Sequence, residues 1–551
     1  MNQLKRLMLP VVFCCSMPAQ AETPLGQRLA TQGDPNRGIP ACSSCHGPEG
    51  SGNEAIGSAR LAGQSTLYLQ RQIENFRDGR RANPLMRPWA EQLTPAERVA
   101  VSDYYAALAP VGQTTTPTSA PNPAIGTDLA LFGDWPDRKL PSCIQCHGPS
   151  GQGVGANFPA LAGQPYSYLL NQLTAWAQGT RSGDPLGMMQ HVASRLTEDE
   201  MRSVAAYFAA QLVASTPEGI ALNAPDETSP GAALESLPAP SPTSTGLQSE
   251  HIPNQDDIPA GRAPDTQGYF KPPSRHDRPE GPFGEMVALG EAIFTQTDTH
   301  PESAPHVGNG LTCRNCHLDA GRLANAAPMW AAWVSYPAYR AKSNRVDTLT
   351  SRLQGCFSYS MNAQDSVSGI PPDADSKTIV ALLSYVYWLA TGAPTGDRSI
   401  PGRGFSDIEE PAEGYDAKRG ATLYRQNCAI CHGARGAGTR KDDIPIFPPL
   451  WGPKSYNWGA GMHALNTAAA FIRHNMPLGG SIELTDQDAW DLSAFINSQE
   501  RPQDPRFTGD LAETAQRYHG GRYDLYGTPS PLDGHRLGEG TPATTSGPRP
   551  H

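Results

Sequence analysis

Apolar residues recur at helical spacing in several stretches of this chain, and polar stretches separate them. Two of the stretches end in predicted helices that begin with a capping box, Thr94 with Glu97 and Thr197 with Glu200. The apolar residues of these helices have the spacing of a core-facing stripe, and they are Val99, Tyr104 and Leu108 in one, and Val204, Tyr207 and Phe208 in the other. The pattern therefore predicts a mainly α-helical chain.

Residues 42–109 and 143–212 form an internal repeat with almost no gaps. In each copy Cys-His-Gly-Pro is followed by Gly-x-Gly, by Leu-Ala-Gly-Gln, and by an amphipathic run that leads to the capped helix. A methionine, Met86 or Met189, lies eight residues before each cap. Met188 is the nearest alternative, but it aligns with Leu85. The shared register predicts one common role for Met86 and Met189.

Polar segments rich in proline divide the chain into domains, and we expect these segments to be flexible. They are residues 113–125, residues 216–264 and the segment after Pro502. With 54 acidic against 43 basic residues, nucleic acid and anionic membranes are not expected as partners. The predicted domains are residues 22–112, 124–213, 266–405 and 406–500, with a linker at 214–265 and a polar C-terminal tail at 501–551.

The N-terminal segment has the features of a secretory signal peptide. Lys5 and Arg6 precede an apolar run at residues 7–15, and Ala19-Gln20-Ala21 is a small-x-small cleavage site. Residues 1–21 are therefore predicted to be removed on export, and the mature chain is expected in the periplasm. No later segment approaches the roughly 20 apolar residues that a membrane span needs.

Four stretches read Cys-x-x-Cys-His and account for eight of the eleven cysteines. In this motif the two thiols attach haem covalently, and the histidine binds the iron. A redox dithiol or half of a zinc site does not explain a histidine after every pair. The sequence thus predicts four covalently bound haem c groups, at Cys42/Cys45/His46, Cys143/Cys146/His147, Cys313/Cys316/His317 and Cys428/Cys431/His432.

Three of the four haems have a methionine in the position expected for the sixth iron ligand. A class I cytochrome c uses a loop methionine there, because its thioether raises the reduction potential. Met86, Met189 and Met476, the last within Asn475-Met476-Pro477, are predicted in this role. For the last haem, Met462 and Lys454 stay open as alternatives.

The third haem motif lacks such a methionine before its closing helix, which is predicted at residues 376–389. Because Cys14 and Cys15 belong to the signal peptide, Cys356 is the only thiol of the mature chain outside the haem motifs. We predict Cys356 as the sixth ligand of this haem, as a thiolate that lowers its potential. A buried inert cysteine, with Met329 or Met361 as the ligand, is the alternative.

Basic residues cluster around this cysteine, although the chain as a whole is acidic. Arg340, Lys342, Arg345 and Arg352 occur within thirteen residues, against the single acid Asp347. Guanidinium groups bind oxyanions in bidentate fashion, and the Ser360 hydroxyl could add a donor. The cluster indicates an anionic substrate, and a solvated basic turn is the plainer alternative.

Two families resemble the two halves of the chain. Residues 25–213 resemble cytochrome c4, a dihaem electron carrier of two class I domains, in the haem motifs, Leu-Ala-Gly-Gln and the paired methionines. Residues 266–500 resemble thiosulfate dehydrogenase, a dihaem enzyme that joins two thiosulfates into tetrathionate. The motifs that carry this second resemblance are residues 307–317, Tyr-Pro-x-Tyr-Arg at 336–340, Arg352 to Cys356 with Ser360, and residues 475–477.

The second resemblance implies His317/Cys356 ligation at the active-site haem, with arginine and serine nearby. The whole chain then resembles a fusion of the enzyme with its c4-type electron-accepting subunit. It implies catalytic roles for Cys356, Arg352, Ser360 and a second basic residue, which is Arg340, Lys342 or Arg345. Some relatives exchange lysine and methionine at the last haem, but we expect plain Met476 ligation here.

The predicted function is therefore oxidation of two thiosulfates to tetrathionate by a tetrahaem cytochrome. Two electrons would pass through haems 3 and 4 to the c4-like pair and on to a soluble periplasmic acceptor. The fold expected is four class I cytochrome c-type domains in two dihaem units joined by a flexible linker. The alternatives are a non-catalytic four-haem electron-transfer protein and a cytochrome that loads thiosulfate onto a carrier protein.

Overall fold

The computed structural model describes residues 23–111, 122–213, 268–340, 345–397, 399–441 and 444–539. The predicted signal peptide, the predicted linker at 214–265 and Lys342 lie outside the described residues. Within the described ranges the chain forms four helical domains, and the β structure consists of two small antiparallel sheets. None of the helices in these ranges is both long and apolar enough to cross a membrane.

Each of the two N-terminal domains packs its helices around one cavity. The helices of the first domain are α1 (Leu25–Thr31), α2 (Ser43–His46), α3 (Thr66–Arg77), α4 (Arg87–Gln92) and α5 (Pro95–Ala107). Those of the second are α6 (Pro123–Leu131), α7 (Trp135–Arg138), α8 (Cys143–His147), α9 (Tyr166–Ala177), α10 (Met188–Ala193) and α11 (Glu198–Ala209). Helices α5 and α11 begin with the two predicted capping boxes.

The third and fourth domains repeat this arrangement, with one small hairpin in each. The third contains α12 (Gly281–Thr295), α13 (Leu318–Gly321), α14 (Met329–Ser335), β1 (Ala338–Arg340), β2 (Arg345–Asp347), α15 (Leu349–Tyr359) and α16 (Lys377–Leu389). The fourth contains α17 (Ala417–Asn427), α18 (Ala429–His432), β3 (Thr439–Lys441), β4 (Ile444–Phe447), α19 (Leu465–Asn475) and α20 (Asp486–Asn497). Strands β1 and β2 pair Arg340 with Arg345, and β3 and β4 pair Thr439 with Phe447.

In every domain a glycine allows the first long helix to cross the last one closely. A Cβ atom on Gly26, Gly126, Gly290 or Gly420 would lie 1.9–2.3 Å from a carbonyl oxygen of the closing helix. No side chain fits at such a distance, so the crossing requires glycine. The same crossing in all four domains confirms the predicted repetition of one domain type.

The buried face of α5 differs from the predicted apolar stripe. Val99 was expected in the apolar stripe, but it is 44% exposed, whereas Val101 and Tyr105 are buried. Tyr104 and Leu108 pack only at the edge of this core. Val99 and Val101 are two residues apart and therefore lie on different sides of the helix, and packing against α1 and α3 selects Val101.

The second domain packs directly against both C-terminal domains. Trp135 is buried in a cluster with Leu318 of the third domain and Phe471 of the fourth. Arg195 donates a hydrogen bond to the Gly479 carbonyl oxygen at 3.2 Å. The c4-like half therefore contacts the other half through a buried interface, besides being joined to it in sequence.

The segment after Pro502 was predicted to be flexible, and through residue 539 that prediction is wrong. It forms α21 (Leu511–Tyr518), and Tyr526 and Leu537 pack around Trp458 of the fourth domain. A buried carboxylate joins it to that domain, since Asp524 Oδ2 lies 2.7 Å from His463 Nε2. Within the segment, His519 lies between the carboxylates of Asp504 and Asp524, at 2.9 and 2.8 Å. The segment has few apolar residues of its own, which suggested disorder, but buried ion pairs of His519 stabilise it.

Candidate active site and haem sites

The four motif histidines share one hydrogen-bond arrangement. Each ring lies with Nδ1 against a backbone carbonyl oxygen, at 2.9 Å for His46, 2.8 Å for His147, 2.6 Å for His317 and 2.9 Å for His432. Burial lowers the pKa of all four rings, that of His317 to about 4, so they are neutral at neutral pH. The Nδ1–H donates, and the lone pair of Nε2 is left for a metal. The residues therefore fit haem iron.

The two N-terminal domains each contain a cavity bordered by the motif and the predicted methionine. The first, of about 400 Å³, is lined by Cys42, Cys45, His46 and Met86. The second, of about 130 Å³, is lined by Cys143, Cys146, His147, Met188 and Met189. Both neighbouring methionines thus face the second cavity, but Met188 also packs with Cys146 in the contact to the fourth domain.

In the fourth domain the three candidate ligands differ in their neighbours, although Met462 and Met476 both border the cluster of Phe471. Met476 packs in the core cluster that contains Cys428. Met462 packs against the core of the third domain, and Lys454 Nζ lies 3.4 Å from the Gly308 carbonyl oxygen of that domain. The structure thus brings Met476, and neither alternative, into the cluster of Cys428.

In the third domain, α15 brings Cys356 to the haem motif. Burial, and then the charge of Cys356, raise the pKa of Cys316 to about 12. The charge of Cys356 is also the main cause that raises the pKa of Arg352. The charge of Arg352 in turn adds to burial in lowering the pKa of His317. The thiol, the guanidinium and the haem motif therefore interact in one pocket.

The other proposed anion-binding residues are placed differently. Arg345 is directed largely to solvent, since its side chain is 66% exposed and its Nε lies 2.8 Å from Asp347 Oδ1. Arg340 is half-buried and pairs with Arg345 across the hairpin. Ser360 caps α15, and its N–H donates to the Cys356 carbonyl oxygen at 2.8 Å. The charge of Cys356 acts on the guanidinium of Arg352.

The two methionine alternatives to Cys356 are core residues. Met329 and Met361 are each 5% exposed within the main apolar cluster of this domain. Met329 packs over Gly321, where a Cβ atom would lie 2.6 Å from its Cγ. Their surroundings are those of ordinary buried methionines.

Two groups that position this pocket were not predicted from the sequence. The Arg352 guanidinium donates a hydrogen bond to the Tyr336 hydroxyl oxygen. Asn457, from the fourth domain, donates to the Ser358 carbonyl oxygen at 3.0 Å and so fixes the C-terminal turn of α15. Tyr336 was noted only as part of a motif, and no sequence signal connects Asn457 to α15, 99 residues earlier.

Two phenylalanines connect the second and fourth haem motifs. The Phe158 and Phe447 rings lie 5.0 Å apart between centroids. Phe158 contacts the His147 ring and Phe447 the His432 ring, each at 6.4 Å. Cys146 and Cys431 belong to the same cluster, and the charge of Cys146 adds to burial in raising the pKa of Cys431. The two haem sites are therefore neighbours across the domain interface.

Family models match each of the four domains. The model described as cytochrome c matches residues 138–210 and 417–500. The model described as SoxA/TsdA, cytochrome c domain, matches residues 303–395, which include the Cys356 pocket. Residues 37–104 match the model described as cytochrome c oxidase, cbb3-type, subunit III.

A curated relative covers the C-terminal half. The thiosulfate dehydrogenase of Stutzerimonas stutzeri (strain A1501) is 49% identical over 276 residues, which are 50% of this chain and 86% of the relative. This chain belongs to the thiosulfate dehydrogenase family. The thiosulfate dehydrogenase electron acceptor of the same organism is 44% identical over 194 residues, or 35% of this chain and 88% of that protein.

A solved structure of this family has both halves in one chain. Thiosulfate dehydrogenase (TsdBA) from Marichromatium purpuratum, in its as-isolated form, is 52% identical, with a TM-score of 0.83. The match covers 94% of this chain and 99% of that one. The predicted family, the fusion with a c4-like acceptor unit, the cytochrome c fold and the covalently bound haem c are thereby confirmed.

Proposed function

We propose that this chain oxidises thiosulfate and joins two molecules of it into tetrathionate at Cys356. The observation that carries the proposal is that Cys356 and Arg352, one turn apart on α15, lie close enough to the third haem motif to interact with it electrostatically. Family membership supports thiosulfate as the substrate. Haem c, when bound, accepts one electron at a time, so two haems together match the two electrons released per tetrathionate.

The chemistry proposed for Cys356 balances in two steps. In the first, the thiolate bonds the outer sulfur of one thiosulfate, and the two electrons released would pass one each to the haems of the third and fourth domains. In the second, another thiosulfate attacks that outer sulfur, so tetrathionate departs and the thiolate is restored. Arg352 binds a sulfonate group through charge-assisted hydrogen bonds and offsets its charge as it approaches the thiolate. Arg340, rather than the largely exposed Arg345, and Ser360 are proposed as further substrate contacts.

We further propose the ligands of the four irons. When haem is bound, His46, His147, His317 and His432 would each supply one iron ligand, and Met86, Met189, Cys356 and Met476 would each supply the other. The neutral rings and the cavity-lining methionines described above support this set. An anionic sulfur ligand lowers the potential of the third haem relative to the three with methionine, which favours electron flow away from the active site.

The proposed electron route runs from the third domain to the fourth, then to the second, and finally to the first. The contact between Phe158 and Phe447 supports the middle step, because it links the His147 and His432 sites. Since the two halves pack together, transfer needs no diffusional encounter between separate proteins.

Replacement of Cys356 by glycine tests the proposal in the full-length haem-loaded protein. Loss of a covalent catalyst should lower turnover with thiosulfate by more than about 100-fold. Haem content should stay at that of wild type, because Cys356 attaches no haem. The matched control is Ser358→Ala, on the same helix. Wild-type turnover by Cys356→Gly would refute the proposed role of Cys356, and absence of thiosulfate turnover in the wild type would favour a non-catalytic electron-transfer protein.

A further inference from the structure

Two buried arginines face each other where the first and second domains meet. Arg81 and Arg181 occupy equivalent positions in the repeat, are 7% and 4% exposed, and form an antiparallel bridge. The bridge is extended by a hydrogen bond from Ser182 N to the Arg80 carbonyl oxygen at 2.6 Å. Their side chains therefore cannot turn to water without opening the interface.

Every side chain that these guanidinium groups bind is neutral. Arg81 donates to Gln72 at 3.0 Å and to Gln172 at 2.7 Å, and Arg181 donates to Gln172 at 2.7 Å and to Gln72 at 2.9 Å. Further hydrogen bonds go to the hydroxyls of Tyr168 and Tyr68, at 3.1 and 3.4 Å. The guanidinium groups also lie over the rings of Phe76 and Trp176, at 4.5 and 3.8 Å from the centroids. Within the described ranges, no carboxylate forms an ion pair with either arginine.

Two like charges without a counter-ion are costly in a protein interior. Removing one ion from water costs several kcal/mol even after relaxation. Burial, and then the charge of Arg81, lower the pKa of Arg181. An anion from outside the polypeptide would offset this cost and stabilise the folded state with both groups charged.

The arginine cluster forms a wall of both haem cavities. Arg181, Gln72 and Tyr168 line the cavity of His46 and also the cavity of His147. Arg81 lines the first of these cavities. Any anion carried by a haem in either cavity can therefore reach the cluster.

We propose that Arg81 and Arg181 bind the propionate carboxylates of the two haems in the c4-like half. Haem c carries two carboxylates, and the planar guanidinium fork matches a carboxylate in bidentate fashion. The paired cations also stabilise the reduced state of both haems, because reduction removes one positive charge from each iron. The two arginines thereby join both haems in one buried charge network.

The test uses the full-length haem-loaded protein with Arg81→Gln and Arg181→Gln, which remove the charge and keep a polar side chain. Two of the four midpoint potentials should fall in a spectroelectrochemical titration. The propionate bending bands in resonance Raman spectra should shift as well, because they report hydrogen bonding at these carboxylates. Arg80→Gln is the control, since that side chain is 50% exposed and pairs with Asp78.

Arg81→Lys and Arg181→Lys separate the effect of the positive charge from the effect of the bidentate hydrogen bonds. They keep the cation but lose the fork, so the potentials should stay near wild type while the Raman bands still shift. Glutamine variants with wild-type Raman bands and potentials would overturn the proposal. Lysine variants with potentials as low as those of the glutamine variants would also overturn it, because charge would then not be the cause.

Discussion

Cys356 and Arg352 are four residues apart on α15, which places both side chains on one face of the helix. The charge of Cys356 is the largest influence on the pKa of Arg352, so the pair interacts before any substrate enters. An arginine held next to a thiolate can steady that thiolate and also bind the anion that reacts with it. At the residue scale, we expect turnover of thiosulfate to depend on this pair.

Arg352→Gln should lower kcat/KM for thiosulfate by about 10- to 100-fold, since charge-assisted hydrogen bonds contribute about 1.5–3 kcal/mol. Arg345→Gln is the matched control, because its side chain is 66% exposed and already paired with Asp347. We expect it to change kcat/KM by less than about threefold, as for other exposed ion pairs. Steady-state kinetics check both, and equal losses in the two variants would contradict the assigned role of Arg352.

Cysteine counting and charge clustering made Cys356 and Arg352 predictable. Eight thiols belong to haem motifs, and one thiol of the mature chain remains. Tyr336 and Asn457 were not assigned roles because their contacts depend on tertiary packing. Arg345 was a candidate because it lies near Arg352 in sequence, but proximity in sequence says nothing about the direction of a side chain.

At the scale of elements, one glycine in each of the four domains sets the distance between the first and last long helices of that domain. Gly420→Ala places a Cβ atom 1.9 Å from the Asp491 carbonyl oxygen, so the helices must move apart. Overpacking of this kind costs about 1–3 kcal/mol of unfolding free energy. Gly461→Ala, where nothing lies within 4 Å, is the control. Thermal unfolding compares them, and an unchanged midpoint for Gly420→Ala would contradict the close crossing.

The buried ionisable groups of the folded C-terminal segment predict how its stability depends on pH. Burial alone would lower the pKa of His519, but hydrogen bonds to Asp504 and Asp524 raise it. Burial alone would raise the pKa of Asp524, but His463 and His519 lower it to about 2. The histidine thus stabilises the segment below its unfolded pKa of about 6.5, and the carboxylate does so above about 4.

Amide hydrogen exchange in α21 should therefore be slowest between about pH 4 and 6.5, after correction for intrinsic rates. Protection should fall as the pH rises from 6.5 through the raised pKa of His519. His519→Gln should remove this pH dependence and destabilise the segment by about 3 kcal/mol, as for other broken buried pairs. Protection that rises steadily up to pH 9 would contradict this account.

The helix caps and the haem motifs made most helices predictable from the sequence, whereas the fold of the C-terminal segment could not be predicted. Thr94 and Thr197 cap α5 and α11 as predicted from local sequence. Residues 501–539 look like a polar tail because their core is built from His519, Asp504 and aromatic rings. Composition alone does not distinguish such a buried network from a solvated segment.

At the scale of the whole molecule, the docked second domain makes electron transfer an internal event. Phe447→Leu keeps an apolar side chain but removes the ring that faces Phe158. Transfer from the thiosulfate-reduced half to the c4-like half should slow several-fold, because fewer atoms bridge the two haem sites. Stopped-flow absorbance measures this step. Phe283→Leu, at an exposed site in the third domain, is the control, and equal rates in both variants would contradict the route.

The central claim is that a thiolate from Cys356 occupies the third iron. Near-infrared magnetic circular dichroism of the fully oxidised full-length protein tests it directly, because thiolate and methionine ligation give separate charge-transfer bands. The account predicts one thiolate-ligated haem beside three with methionine, and loss of the thiolate band in Cys356→Gly. Four methionine-type signals in the wild type, unchanged in Cys356→Gly, would contradict it.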